Sequence, residues 1–558
     1  MRQMPVRVSR LWVVLLSVTL VCTALIAPSV AWAQTDEAFT CPNTGGTLVI
    51  ATPGDPVSLN GVYANDGLSV AVLSYIYNPL VLGGRTWVGL NGEVHGGLAE
   101  SWDISEDGLT YTFNLREGVM WHDGEPLTAD DVIFTFQTIQ DPEGESVQFR
   151  GGFLQNGEPI PFEAPDDHTV VATLSQPSAT FLTDITVPIV PRHVLEGQDL
   201  REGPFNREPV GTGPFKLVEW RTGESLTLEA FDDYFWGRPC LDRVIFRIIP
   251  DEQARVNALL TGEVDLLSPV PGASVERVQQ DDNFNLYTAE EDSLFFIAFN
   301  PLNPPLDNVL VRQALFVALD RQAIVDTVLQ GFGIVNNSHF SAPVPFYEQD
   351  KLGGYDYDPE RAAAMLDEAG VTDADGDGWR DFDGATWEPQ FVSFNLGTAS
   401  RYGEVAQVAL AYWEDVGVKV NLELKDFGVL VEEIYAENKW EKPFDFHNSG
   451  VANEFGVQPG AYWVFYTTTE AVGPNFMNYN NPDVNALFEE AAAIVDYDAR
   501  MAMYEEIEQV LWEDLPSIPL YRRTVPVALS ARYNPDDAVV DVSTGTNFKY
   551  PERLYMNP

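Results

Sequence analysis

Three side chains able to transfer protons or bind a metal stand close together in the stretch LREGVMWHDGEPLTADDVIFTF, residues 115–136: His122, Asp123 and Glu125. The preceding segment, 109–115, alternates apolar and polar residues, which predicts a half-buried strand. Asp123 is followed by Gly, and an Asp-Gly pair is typical of a turn. We therefore predict that His122 and Asp123 belong to a turn between a strand and a helix rather than to a catalytic site.

The run DADGDGWRDFDG has the spacing of a calcium-binding loop. Its Asp373, Asp375, Asp377 and Asp381 occupy offsets 1, 3, 5 and 9 of such a loop, and carboxylate oxygens are the ligands that calcium prefers. The twelfth position is Gly384, whereas calcium loops place a bidentate Glu there. Two interpretations stay open: a structural calcium site, and an acidic hairpin turn between a helix and a strand.

Other motifs argue against catalysis. The segment 211–216, GTGPFK, resembles a phosphate-binding loop, but Pro214 has no amide hydrogen and Lys216 begins a predicted strand instead of a helix. The six histidines are dispersed, and the sequence contains no HExxH, CxxC or GxSxG motif. The sequence therefore predicts neither an enzyme nor a required cofactor.

A cluster of aromatic residues is a candidate wall of a ligand site. The stretch GAYWVFYTTT contains Tyr462 and Trp463, and it follows a loop rich in Gly and Asn, NSGVANEFGVQPG. An aromatic face beside a polar loop suits a sugar or a peptide, but such a run can equally belong to the core.

The N-terminal segment predicts export. Arginines at positions 2, 7 and 10 precede an apolar run and then PSVAWAQ, in which Ala31 and Ala33 form a signal-peptidase site. We expect cleavage after Ala33, so that 1–33 is a signal peptide and the mature chain is periplasmic or extracellular. A membrane anchor and lipidation of Cys22 are the alternatives.

Cysteines, charge and length narrow the class of protein further. Cleavage would leave Cys41 and Cys240, an even pair that favours a disulfide in an exported chain, with two separate buried thiols as the alternative. The net charge of −52 repels phosphate backbones and so argues against nucleic acid as a partner. The 558 residues exceed one compact core, and about two to four domains are expected.

Local patterns predict a mixed α/β fold. Thr128 and Asp131 form a capping box for a helix, and a second helix in DPERAAAMLDEAG begins after Asp358 and ends at Gly370. A helix predicted over 399–415 separates the strands QFVSFN and VKVNLEL, which implies a right-handed crossover in a largely parallel sheet. The apolar run DRVIFRII predicts a strand buried on both faces.

Nine phrases, in this order, resemble those of family 5 of the solute-binding proteins, the peptide-binding class of exported receptors that feed ABC importers. They run over nearly the whole mature length: GGTLVIATPGDPVSLN, GGLAESWDISEDGLTYTFNLREGVMWHDGEPLTADDV, PVGTGPFKLVEW, LDRVIFRIIPD, ALLTGEVDLL, FFIAFN, VRQALFVALDRQAIV, YDPERAAAMLDEAG and LWEDLPSIPLYRR. The resemblance implies a class II binding-protein fold in which two lobes, joined by two crossing segments, close on a ligand between them.

The resemblance also implies how the chain divides into domains. One lobe would contain a discontinuous domain I and an inserted domain II, and the other lobe would be domain III. Cys41 and Cys240 would then both lie in domain I. The expected boundaries are 34–80, 209–292 and 517–558 for domain I, 81–208 for domain II, and 293–516 for domain III.

The resemblance points to one acidic residue as a ligand anchor. In peptide-binding members, an Asp in a loop after FD and GW pairs with the α-amino group of the ligand. In the similar stretch FDFHNSGVANEF, Val451 replaces the Trp and Glu454 stands at the Asp position, and the longer carboxylate can still pair with a buried ammonium. For each residue expected to contact ligand, the alternative is an ordinary position in a loop or in the core. These residues are Asn65, Asp66, Gly67, Phe427, Gly450, Val451, Asn453, Glu454, Tyr462, Trp463 and Tyr521.

The sequence thus predicts a monomeric exported receptor that captures a solute, with a di- or oligopeptide as the first choice, and hands it to ABC permease subunits at the membrane. The same fold binding an oligosaccharide or a metal chelate is one alternative. A secreted glycosidase that uses Asp66 and Glu454 as paired acids is another, and a chemosensory or scaffold protein without an importer is a third.

Overall fold

The computed structural model of the chain describes residues 39–64, 66–82, 94–144, 146, 150–290, 293–340, 352–395, 401–426, 429–430, 444–452, 475, 477–494, 496–536, 538, 548 and 550–558. The predicted signal peptide, 1–33, lies outside these ranges. Within them, no helix combines the length and the apolar character that a membrane span requires.

The described chain contains both strands and helices throughout. In chain order the strands are β1 (Thr47–Thr52), β2 (Val81–Leu82), β3 (His95–Gly96), β4 (Ala99–Ile104), β5 (Thr110–Leu115), β6 (Leu154–Gln155), β7 (Glu158–Pro159), β8 (Phe162–Asp166), β9 (Thr169–Thr173), β10 (Phe215–Arg221), β11 (Ser225–Ala230), β12 (Arg243–Ile248), β13 (Leu266–Leu267), β14 (Phe284–Glu290), β15 (Ser293–Phe299), β16 (Gly333–Val335), β17 (Asp381–Phe382), β18 (Ala385–Thr386), β19 (Gln390–Phe394), β20 (Asn421–Lys425), β21 (Phe446–Ala452), β22 (Ser517–Ser530), β23 (Tyr533–Asn534) and β24 (Tyr555–Met556). The α-helices are α1 (Gly67–Ile76), α2 (Ala129–Gln140), α3 (Phe181–Asp184), α4 (Arg192–Leu195), α5 (Glu252–Leu260), α6 (Gly272–Gln279), α7 (Val309–Val317), α8 (Arg321–Thr327), α9 (Pro359–Glu368), α10 (Tyr402–Asp415), α11 (Pro482–Ala493) and α12 (Tyr497–Asp514). Short 3-10 helices cover Arg150–Phe153, Pro204–Asn206 and Pro551–Arg553.

The long strand β22 joins two groups of strands into one sheet of 12 strands. The order of this sheet is β10-β11-β12-β1-β13-β22-β15-β21-β19-β20, and β14 and β16 also pair with β22. Residues 524–530 of β22 pair with β13 and β14, whereas residues 517–523 pair with β15 and β16. One strand therefore belongs to both groups of strands in this sheet.

Separate cores define two lobes. In the first lobe, the strands β1 and β10–β12 pack with α1, α2 and the four-stranded sheet β4-β5-β9-β8 around buried side chains such as Tyr75, Phe113 and Phe246. In the second lobe, β15 and β19 pack with α7, α10 and α12 around Phe316, Trp413 and Tyr504. The chain crosses between these lobes from β14 to β15 and again along β22, which are the two crossing segments that the sequence predicts.

The capping residues predicted from the sequence mark the ends of two helices in the structure. At the start of α2, the Thr128 amide donates to Asp131 Oδ2 at 2.9 Å, which completes the capping box. At the start of α9, the Arg361 amide donates to Asp358 Oδ1 at 2.9 Å, and Gly370 follows the helix with a φ of +83°. The strands β19 and β20, on either side of α10, pair in parallel as the predicted crossover requires. The prediction of a largely parallel sheet is nevertheless wrong, because most of the described strand pairs in the 12-stranded sheet are antiparallel.

The prediction that DRVIFRII is buried on both faces is wrong for β12. Val244, Phe246 and Ile248 are buried, whereas Arg243 and Arg247 are exposed. Arg247 forms an ion pair with Glu263 at 3.0 Å. Only one face of this part of the sheet meets the core of the first lobe, so buried residues alternate with residues that are partly or fully exposed.

Candidate functional site

Residues from three neighbouring strands form a row where the second lobe meets the crossing segments. Phe295 on β15 pairs with Gly450 on β21 at one side and with Tyr521 on β22 at the other, and we call Gly450, Phe295 and Tyr521 the junction row. The rings of Phe295 and Tyr521 stack with their centroids 4.9 Å apart, and the two residues are 2% and 1% exposed. Val451 is next to Gly450 and pairs with Leu294. The structure thus brings together three residues predicted to contact ligand, with Tyr521 packed in the core.

Two arginines follow Tyr521 on β22. Arg522 Nη1 lies 2.6 Å from Glu290 Oε2, so this ion pair connects the two crossing segments. The guanidinium carbon of Arg523 lies 5.0 Å from the centre of the Phe295 ring, within the range of a cation–π contact. Residues 523–525 are partly exposed, whereas β22 is buried on both sides of them.

Sequence reasoning missed Phe295, Arg522 and Arg523 as residues of the junction. The available signal was the end of the phrase LWEDLPSIPLYRR, where two cations stand side by side in a chain with a net charge of −52. Phe295 had no local signal, because its position beside Tyr521 depends on the pairing of strands more than 200 residues apart.

Asp66 caps the first helix. Its Oδ1 accepts the amide hydrogen of Ser69 at 2.9 Å, and its Oδ2 accepts the hydroxyl of Ser69. The same Ser69 hydroxyl oxygen accepts the amide hydrogen of Val57 at 3.0 Å. Gly67 is the first residue of α1 and is exposed. In the described structure, the carboxylate of Asp66 therefore stabilises the start of α1 and the loop before it, and a contact of Asp66 or Gly67 with ligand stays a prediction.

The remaining residues predicted to contact ligand lie outside the described residues. They are Asn65, Phe427, Asn453, Glu454, Tyr462 and Trp463. The described end of β21 at Ala452 directly precedes Asn453 and Glu454 in the chain. The roles proposed for these two residues consequently remain predictions.

The corner that contains His122 and Asp123 is a turn, as predicted. Gly124 has a φ of +93°, and Asp123 Oδ2 lies 2.8 Å from His193 Nε2. The His122 ring contacts the segment that resembled a phosphate loop: Nε2 lies 2.9 Å from Gly213 O, and Nδ1 accepts the Gly211 amide hydrogen at 3.2 Å. That segment continues into β10 and not into a helix. His122 therefore joins two chain segments as a structural residue.

We expect the His122 contact to make stability depend on pH. Burial lowers the pKa of His122 from 6.5 to about 4, because the charged ring loses its hydration and the hydrogen bond to Gly213 O offsets only part of that loss. A protonated ring could also no longer accept the Gly211 amide hydrogen. The unfolded chain binds this proton at a higher pH, so the contribution of His122 is complete above about pH 6.5 and is lost as the pH falls toward about 4. The expected loss is on the order of 2 kcal/mol.

Urea unfolding at pH 7 and pH 5 tests the assignment to His122. The His122→Gln variant should lose less stability than the wild type between these two pH values, because Gln does not titrate. The exposed His168→Gln variant serves as the matched control and should behave like the wild type. An equal pH dependence in wild type and His122→Gln would assign the effect to another group.

The acidic loop places three of its carboxylates close together. Ligand atoms of Asp373, Asp375 and Asp377 all lie within 4.8 Å of one another, and the three residues are exposed. These side chains also accept backbone amide hydrogens within the loop, for example from Gly376 to Asp373 Oδ1 at 2.7 Å. Asp381 Oδ2 instead accepts the Ala374 amide hydrogen at 2.9 Å. The donor set fits calcium in part, since three carboxylates converge while the twelfth position supplies none.

Calcium binding by this loop stays a prediction. Millimolar CaCl₂ is expected to raise the melting temperature by about 1 to 3 °C, because an ion that binds only the folded state stabilises it. An Asp373→Asn, Asp375→Asn double variant should lose this increase, and MgCl₂ is the control for ionic strength. An unchanged melting temperature in wild type would favour the acidic hairpin turn.

The two cysteines of the predicted mature chain are bonded to each other. Cys41 and Cys240 form a disulfide with an S–S distance of 2.07 Å. Both residues belong to the first lobe, where the Gly45 amide also donates to Cys240 O at 2.7 Å. The bond connects the start of the described chain to the segment before β12.

Two lobes with separate cores, joined by paired crossing strands, define a two-lobed solute-binding protein. Residues 93–473 match the model of the middle region of family 5 of the bacterial extracellular solute-binding proteins. This match covers more than half of the chain. The chain belongs to this family, whose members are substrate-binding receptors.

Individual relatives agree with this assignment over most of their length. The oligopeptide-binding protein AppA of Bacillus subtilis is 32% identical, with 86% of this chain and 87% of the relative covered. Heme-binding protein A of Haemophilus influenzae is 29% identical, with 93% and 94% covered. The crystal structure of the ABC transporter substrate-binding protein CtaP from Listeria monocytogenes superposes with a TM-score of 0.80 at 31% identity, covering 92% of this chain and 100% of that chain.

Proposed function

We propose that the chain is the exported receptor of an ABC importer, which captures an oligopeptide between its two lobes and delivers it to permease subunits at the membrane. The observation that carries this proposal is the 32% identity with an oligopeptide-binding protein over 86% of this chain. The receptor acts as a monomer and releases its ligand chemically unchanged. An affinity near 1 μM corresponds to about −8 kcal/mol and requires no chemical step.

The architecture supports capture by closure. The lobes are connected through β14–β15 and β22, so a change of backbone angles at these crossing segments moves one lobe against the other. Closure removes water from the cleft and thereby strengthens hydrogen bonds to the ligand. The guanidinium of Arg523 lies beside the Phe295 ring. A guanidinium forms strong charge-assisted hydrogen bonds with a carboxylate, so Arg523 suits a ligand that carries one.

A metal chelate is the second candidate ligand, because one relative is a heme-binding protein at 29% identity. Haem resembles a peptide in carrying carboxylates, but it also presents a large apolar surface and an iron atom. The oligopeptide-binding relative has the higher identity to this chain, 32% against 29%, and this favours the peptide.

Thermal unfolding of refolded, ligand-free protein distinguishes these ligands. The candidates are mixed di- to nonapeptides, haemin and malto-oligosaccharides, each added to separate samples. A ligand at 100 times its dissociation constant adds about 2.7 kcal/mol, so peptides should raise the melting temperature measurably. Stabilisation by haemin or sugar alone would overturn the peptide proposal.

Two further measurements address the other classes of function. Chromatography of the bound peptide after release should recover it intact, and its turnover would instead establish an enzyme. Deleting the gene should reduce uptake of the same peptide, whereas unchanged uptake would favour a chemosensory or scaffold protein.

A further inference from the structure

The carboxyl ends of several second-lobe strands meet at one edge of the sheet. The strand β19 runs parallel to β20 and to β21, and β15 runs antiparallel to both β21 and β22. The second-lobe part of β22 therefore points in the same direction as β21, and it passes into the first lobe between Arg523 and Thr524. In open α/β sheets, ligands bind in the crevice outside the carboxyl ends of the strands. Arg523 thus lies at the edge where this fold places a ligand.

The loops predicted to contact ligand begin at the same edge. The strand β21 ends at Ala452, directly before Asn453 and Glu454 in the chain. The strand β20 ends at Lys425, two residues before Phe427. The three predicted ligand residues lie outside the described ranges, but the strand ends that precede them are described. The sequence prediction and the direction of the strands therefore indicate one edge.

Arg523 stands between the cores of the two lobes. Alternate residues of a strand point to the same face of a sheet, so Tyr521, Arg523 and Val525 share one face of β22. Tyr521 belongs to the core of the second lobe, whereas Val525 packs against the core of the first lobe. Arg523 itself is partly exposed. The strand therefore carries a cation at an accessible position between two apolar cores.

The junction row supports the guanidinium of Arg523. The guanidinium carbon lies 5.0 Å from the centre of the Phe295 ring, and the Phe295 ring stacks on the Tyr521 ring. Both rings belong to buried residues and are fixed by the packing of the core. A guanidinium keeps its N–H donors in its own plane, where a pair of them matches the two oxygens of a carboxylate. The rings thus limit the directions in which Arg523 can bind an anionic group.

The neighbouring arginine already binds a carboxylate at the crossing segments. Arg522 Nη1 lies 2.6 Å from Glu290 Oε2, and the Glu290 side chain is 56% exposed. Glu290 balances the charge of Arg522, and Arg523 adds a further positive charge at the same place. In a chain with a net charge of −52, a pair of adjacent cations favours an anionic group of the ligand locally.

We propose that Arg523 determines ligand specificity by binding a carboxylate of the ligand, which is either the C-terminal carboxylate of a peptide or an acidic side chain. This inference rests on the proposed function, because it takes the ligand to bind between the lobes beside the crossing segments. The alternative is that Arg523 only packs on Phe295 and stabilises the junction row. A packing role would change the affinity for every ligand by the same factor, whereas a binding role makes the affinity depend on the ligand's carboxylate.

Matched peptide pairs distinguish the two roles. The first pair is a nonapeptide without acidic side chains, as the free acid and as the C-terminal amide. The second pair is an amidated nonapeptide that carries either one Glu or one Gln. By isothermal titration calorimetry, wild type should bind the carboxylate-bearing member of at least one pair about tenfold or more tightly than its uncharged counterpart. Arg523→Met should remove this preference and bind the uncharged member as wild type does. The pair that shows the preference identifies the source of the carboxylate.

Arg207→Met is the matched control. The guanidinium carbon of Arg207 also lies over an aromatic ring, 3.7 Å from the centre of Trp220. Trp220 is on β10, however, and four strands separate β10 from β22 in the sheet. This variant should keep the wild-type preference. Arg523→Lys keeps the charge but not the planar guanidinium, so it should keep part of the preference, and it provides a second variant should Arg523→Met fold poorly.

The outcomes separate this inference from the proposed function. Equal affinity of wild type for both members of each pair, or an unchanged preference in Arg523→Met, would overturn the role of Arg523 and leave the peptide proposal standing. If no peptide binds, the proposed function is wrong, and haemin against its dimethyl ester replaces the peptide pairs, because esterification removes the carboxylates. A preference for haemin that Arg523→Met removes would then support the role of Arg523, and one that persists would overturn it. Binding of malto-oligosaccharides alone, or of no probe, would contradict both.

Discussion

Glu454→Gln is expected to weaken oligopeptide binding by about a hundredfold or more. Glu454 stands at the position where the family resemblance places the partner of the ligand's α-amino group, directly after the strand β21 that carries Gly450 and Val451. Removing one partner of a buried charge pair costs about 3 to 5 kcal/mol, and about 1.4 kcal/mol corresponds to a factor of ten in affinity. Isothermal titration calorimetry with a defined nonapeptide measures the change.

A matched variant isolates the charge of Glu454 from its shape. Glu454→Asp keeps the carboxylate and shortens the side chain by one methylene group, so it should retain much more affinity than the Gln variant. Blocking the peptide's amino group by acetylation should weaken binding to wild type but have little further effect on Glu454→Gln. If Glu454→Gln bound the free peptide as tightly as the wild type does, the assigned pairing would be wrong.

Gly211→Ala is expected to destabilise the first lobe by about 4 kcal/mol or more, or to prevent folding. A methyl group at Gly211 would lie 1.9 Å from Ile76 O, at the end of α1, and the Gly213 position is similarly close to the Ile76 main chain at 2.4 Å. Main-chain atoms cannot move aside as a flexible side chain can. The shift would also break the contact between Gly211 and the His122 ring.

The control for this prediction is Gly54→Ala, since a methyl group there meets no atom within 4 Å. Urea unfolding should give nearly the same stability for Gly54→Ala and wild type. A Gly211→Ala protein with wild-type stability would contradict this prediction. It would mean that α1 and the segment before β10 can move apart without a loss in the free energy of unfolding. Peptide affinity of the folded fraction should change little, because Gly211 was not predicted to touch ligand.

Elements stabilised by residues a few positions apart were predictable from the sequence. The capping box at Thr128 and Asp131 and the helix from Pro359 to Glu368 form as expected, because their hydrogen bonds connect residues three or four positions apart. The turn at His122 and Asp123 follows from the same kind of local signal. Strand β12 shows the limit, since its apolar run did not reveal which face would meet the core.

The residues of the junction row could be predicted only in part. The family resemblance named Gly450, Val451 and Tyr521, which the structure brings to one place in the second-lobe sheet. It did not name Phe295 or Arg523, whose places depend on strand register. Asp66, in contrast, is used as a helix cap in the described structure, a role that its Asp-x-x-Ser spacing permits.

The sequence by itself determined the family, the helix ends, the turns and the acidic surface, because composition and short-range hydrogen bonding act on neighbouring residues. The tertiary structure alone decided which residues meet in the junction row and how the His122 ring contacts Gly211. The pairing of Phe295 with Tyr521 joins residues 226 positions apart, and the contact of His122 with Gly211 joins residues 89 positions apart. Their geometry is set by sheet register and by the packing of separate cores, and neither is encoded in any short stretch of the chain.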